Sequence, residues 1–73
     1  MLKEIRKRLG ERDFVPFTIV MSSGDRHEVP TRDHAALPPN PRASQIVVFD
    51  DEGTSLVLAG LHIASVQARD AAA

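Results

Sequence analysis

Four residues able to bind a metal or move a proton fall close together in this chain: His27, Glu28, Asp33 and His34. Imidazole and carboxylate groups hold zinc or related ions when their spacing brings three or four into one shell. The spacing here matches no such ligand motif, and exposed strand and loop positions account for all four residues. Asp50-Asp51-Glu52 lacks the alternating ligand positions of a calcium loop and reads as an acidic turn. Ser22 and Ser23 are the nucleophile candidates. They sit beside Gly24 in a turn sequence, without the strand-to-helix context of a nucleophile elbow. His62 is the base that could meet such a serine in space, and a lone His on a strand link reads as structural. Neither Gly-bearing turn resembles a phosphate cradle. No catalytic residue, cofactor site, metal site or small-molecule substrate is expected, so the chain reads as non-enzymatic.

Charge gives the other candidate chemistry. Residues 1–12 carry Lys3, Arg6, Lys7, Arg8 and Arg12 against Glu4 and Glu11, a side-chain balance of +3, within a chain of net charge −1. A basic lead segment can contact phosphates, and such contact is strongly salt-dependent. Base stacking has little to work with, because there is no Trp or Tyr and the three Phe residues fall at core-type positions. The basic residues therefore read first as a solvated helix face and, as the alternative, as a nucleic-acid contact.

These side chains need elements to carry them. Leu2, Ile5 and Leu9 recur at helical spacing with charged residues between them, which predicts an amphipathic helix over 2–9 that ends at Gly10. Its length is too small for it to persist alone, so it must pack on something. From residue 14 the period becomes two. Val15, Phe17, Ile19 and Met21 face one way, and Gly24 turns the chain into a short polar strand over 26–29 that Pro30 ends. Residues 31–44 hold three prolines; Asp33 is placed to cap one helical turn reaching Leu37. A second hairpin pairs 46–49 with 55–59 around Gly53, a tight link follows at 60–62, and a last strand covers 63–68.

The expected fold is thus mainly β with one N-terminal helix, a single domain over 1–73. Residues 14–68 form a small five-stranded antiparallel barrel, and 69–73 a flexible tail. With 73 residues and no Cys, core burial alone must hold it together. No apolar run reaches the length of a membrane span, and the N-terminus lacks a signal-peptide apolar region, so the cytoplasm is the expected compartment.

Both faces of the later strands are apolar: Ile46 and Val48 alternate with Val47 and Phe49, and Leu56 and Leu58 alternate with Val57 and Ala59. One face fills the interior. The other requires a cover: the N-terminal helix, a partner chain, or both. The expected contact surface is the helix stripe Leu2, Ile5 and Leu9 together with Val20, Val47 and Val57. On this reading the chain is a non-catalytic module that acts by homo-oligomerisation or protein contact.

Two resemblances bear on this. The run Phe14-Val15-Pro16-Phe17-Thr18-Ile19, then Ser23-Gly24, then Glu28-Val29-Pro30 and Asp33, resembles a family of small uncharacterised bacterial proteins. Leu58-Ala59-Gly60-Leu61-His62-Ile63 followed by Val66 is similar to the second motif of Sm-like proteins. That likeness implies an SH3-like or Sm-like barrel, ring assembly by edge-strand pairing, and RNA bound on the ring. Ala59 stands where the Sm motif has its base-holding Arg, and only Gly60 and the aliphatic frame carry over. An RNA-binding or regulatory role is accordingly the alternative, carried by the basic helix.

Overall fold

The computed structural model describes residues 1–40, 42 and 44–68. Helix α1 spans Leu2–Leu9, the bounds the apolar spacing predicts. Arg6, Lys7 and Arg8 occupy its last turn, where positive charge suits the carbonyl end of the helix dipole. The amide of Gly10 donates to the carbonyls of Arg6 and Lys7 at 3.1 and 3.2 Å. A long-range contact completes this end: the Arg32 guanidinium donates to the carbonyls of Leu9 and Glu11 at 2.9 and 2.6 Å.

Strand β1 (Phe17–Met21) forms a hairpin with β2 (Arg26–Val29). Gly24 closes it at φ +96°, a left-handed conformation that favours glycine. A 3₁₀ turn over Arg32–His34 follows, then the two-residue strand β3 (Ala35–Ala36). Strands β4 (Gln45–Phe49) and β5 (Ser55–Ala59) make the second hairpin, with Gly53 at φ +87°. A 3₁₀ turn over Gly60–His62 leads into β6 (Ile63–Ala68).

Among the described residues the strands number six, and they form two three-stranded antiparallel sheets in the orders β2-β1-β6 and β3-β4-β5. Among the described residues no ladder closes these sheets into the single five-stranded barrel expected from the sequence. The physical cause lies between β2 and β3. Pro30 has no N–H to continue a ladder, and the turn over 32–34 breaks what would be one bent strand. That turn begins after Thr31, ahead of the position at which Asp33 was expected to cap it. The expected tail at 69–73 lies outside the described residues.

Phe17, Ile19, Val29, Ile46, Val48, Leu58 and Ile63 fill the space between the sheets, joined by Ile5 from the helix. Leu2 and Leu9 pack half-buried against the same cluster. The helix covers its own core, so Ile5, with no exposed surface, is removed from the expected interface. At Gly60 a Cβ would lie 2.8 Å from Leu2 Cγ and 3.2 Å from the Ser44 carbonyl oxygen, so the missing side chain lets the chain run close under α1.

Candidate interaction surface

The hydrogen-bond phase of the second hairpin decides which backbone groups are free. Asp50 donates to the Thr54 carbonyl at 3.0 Å, and Gly60 donates to the Ser44 carbonyl at 2.8 Å. With the register Ile46↔Leu58 and Val48↔Leu56, these bonds place the even-numbered pairs at the hydrogen-bonded positions. Ser55, Val57 and Ala59 therefore sit at the non-hydrogen-bonded positions, and their N–H and C=O groups point away from β4. Strand β5 ends its sheet, so among the described residues no strand receives them.

The side chains on this edge lack the usual protection. Native edges are commonly blunted by charge, proline or a bulge. Ser55-Leu56-Val57-Leu58-Ala59 contains no charge and no proline, and its register with β4 is regular. Val57 is 63% exposed and Leu56 47%; Leu61, just past the strand, is 89% exposed. Across β4, Val47 is half-buried and Phe49 exposed on the outer face of the same sheet. Of the valines expected on the contact surface, Val47 and Val57 are thus cross-strand partners. Val20 lies apart from them, half-buried on β1 opposite Arg26 and Ser65 in the other sheet.

Two of the basic residues, Arg6 and Arg8, have partners within the chain. Arg6 donates to the Pro38 carbonyl at 2.8 Å, fastening α1 to the proline loop. Arg8 Nε lies 3.1 Å from Glu4 Oε1 as an ion pair without hydrogen-bond geometry, and its guanidinium stands 6.0 Å from the centre of the Phe17 ring. Lys3, Lys7 and Arg12 remain exposed. The cleft that Lys7 and Arg8 help to line also presents Glu4, Glu11 and Asp13, whose carboxylates oppose a phosphate.

Of the candidate catalytic and metal residues, His27, Glu28 and His34 border one groove with Asp50 and Asp51, but they do not converge on a common point. Ser22 meets His62, but its hydroxyl donates to the His62 carbonyl at 2.9 Å rather than to the imidazole. Glu28 Oε2 accepts from the buried Thr18 hydroxyl at 2.7 Å. Asp50 Oδ1 accepts from the amides of Glu52 and Thr54, both at 2.9 Å, and so shapes its own turn. Among the described residues no three His, Asp or Glu converge as a metal shell.

One hydroxyl–imidazole–carboxylate series does form, which spacing gave no reason to expect. Thr31 Oγ1 lies 2.7 Å from His34 Nδ1, and His34 Nε2 lies 2.7 Å from Asp51 Oδ1. A neutral ring satisfies both contacts, with Nε2–H donating to Asp51 and Nδ1 accepting from Thr31. The series borders an open groove of about 300 Å³ floored by Val48 and Leu56, with His27 and Pro30 on its wall. The Asp51 side chain is 89% exposed, so water surrounds the charged member. The arrangement clasps the 31–34 turn to the second hairpin.

Among the described residues no helix is long and apolar enough to cross a membrane. Comparisons with protein-family models, with curated proteins and with solved structures return no match.

Proposed function

We propose that this protein is a non-catalytic interaction module that works through homo-oligomerisation or protein contact, with β5 and the outer face of its sheet as the contact surface. The observation that carries this reading is the open edge of β5: three backbone positions aimed outward, beside an exposed valine and with no charge to repel a partner strand. Strand addition to such an edge gives affinity through main-chain bonds and specificity through the alternate side chains. The order of the elements, with a hairpin, a broken crossing strand, a second hairpin, a 3₁₀ turn and a returning strand, supports an SH3-like or Sm-like barrel type for the fold. On this reading the Thr31–His34–Asp51 series is a structural clasp between exposed partners.

Light scattering over micromolar concentrations tests the reading. A mass above that of one 8.0 kDa chain, rising with concentration, is the expected result; a single-chain mass throughout, together with capture of no protein partner, overturns it. Single-stranded RNA added at low salt is expected to leave the mass unchanged, since Arg6 and Arg8 are engaged within the chain. RNA binding that weakens steeply with salt would instead select the basic helix and its phosphate contacts.

A further inference from the structure

Resting on the association reading above, we propose that the occupant of the β5 edge is a second copy of this chain, paired antiparallel about a two-fold axis through Val57. The outward-pointing positions Ser55, Val57 and Ala59 are spaced symmetrically about Val57. An antiparallel copy centred there sets Val57 against Val57 of the second copy, and Ser55 against Ala59 of the second copy on either side. All three are hydrogen-bonding pairs, because every residue involved turns its N–H and C=O to that edge. Slipping the register by one residue would oppose outward-pointing groups with inward-pointing ones and lose the ladder.

The side chains agree with the same centre. On the outer face, Val57 meets its own copy, a β-branched pair of the kind that stabilises neighbouring strands. On the inner face, Leu56 comes opposite Leu58 of the second copy, which gives the half-exposed Leu56 an apolar neighbour. The join turns the sheet β3-β4-β5 into one continuous sheet of twice that width. Sheets gain stability with added strands that share an apolar face.

Charge selects the direction. Asp50, Asp51 and Glu52 form the turn directly before β5, and no cation among the described residues within the hairpin offsets them. A parallel copy would bring two such turns side by side. The antiparallel copy sends them to opposite ends of the joint sheet, where their repulsion is screened by distance and salt. An isologous contact of this kind closes on itself, so assembly stops at two copies.

The test uses full-length chains carrying Val57→Lys, Val57→Glu or Val57→Thr, read by sedimentation and by circular dichroism. Because Val57 is exposed and its amide makes no bond to β4, each variant is expected to keep the wild-type dichroism spectrum. Wild type and Val57→Thr are expected to sediment as dimers. Val57→Lys alone and Val57→Glu alone, each opposing like charges at the axis, are expected to dissociate at least about 100-fold more readily. An equimolar mixture of the Lys and Glu variants should dimerise again, since unlike charges then face each other. If wild type associates and both charged variants stay associated, the pairing is overturned while the association reading stands. If the charged variants dissociate but their mixture does not recover, Val57 does not face itself, and the two-fold arrangement is overturned. A monomeric wild type at every concentration removes this proposal, and capture of a different protein by that monomer would leave the association reading in place.

Discussion

Replacing Ile5 by alanine is expected to lower the free energy of unfolding by about 2–5 kcal/mol, the range for truncating a fully buried aliphatic side chain. Ile5 is the residue by which α1 enters the core, and it has no exposed surface. The helix holds only eight residues, too few to persist once that anchor is lost. Its other ties include Arg6 to the Pro38 carbonyl, Arg32 to the carbonyls at the helix end, Arg8 against the Phe17 ring, and the half-buried Leu2 and Leu9. Urea unfolding followed by circular dichroism measures the loss. A change below about 1 kcal/mol, as surface substitutions give, would mean that α1 is peripheral rather than part of the core.

Phe17→Ala should cost more, about 3–5 kcal/mol, because the largest fully buried side chain is removed from the centre of β1. Its ring is held from several directions. Phe14 packs beside it with ring centres 5.9 Å apart and planes tilted by 51°, and the Arg8 guanidinium approaches at 6.0 Å. For a small domain whose whole stability lies in the ordinary range of about 5–15 kcal/mol, that loss takes a large share of the total. Phe17→Leu, which keeps most of the apolar volume, should be milder. The same urea titration decides between the variants, and equal losses for Ala and Leu would show that volume at this site is not what matters.

The local elements were legible because their signals are local. Apolar spacing gives the bounds of α1, and Gly24 and Gly53 take the left-handed turns that their places between strands require. The stretches 26–29, 55–59 and 63–68 are strands as the alternation predicts. Strand β3 was not legible. Ala35-Ala36 has no β-branched or aromatic residue, and only pairing with Val48 and Val47 makes it a strand. Nor could sequence show Arg32 capping a helix that ends more than twenty residues earlier, since nothing local marks such a contact.

Burial followed the same division. Alternation assigns a side chain to a face but does not say whether that face is covered. Val15, Phe49 and Leu56 all suited the core by pattern and are exposed in the folded chain, whereas Ile5, expected at an interface, is interior. Part of the exposure on the proposed contact surface was therefore readable. Val57 is open as the two-sided apolar pattern requires, and Val47 stands across from it. The decisive property of β5, which backbone groups face outward, comes only from the register and phase of its ladder with β4.

Amide hydrogen exchange at Val57 tests association through β5 most directly, because that N–H points away from β4 and has no partner among the described residues. At concentrations where the protein is associated, slow exchange at Val57 is expected, becoming fast on dilution while the Leu58 amide, directed toward β4, stays protected. Fast exchange at Val57 in the associated protein would contradict the account, since the strand edge would then be open to water in the very assembly it is meant to build.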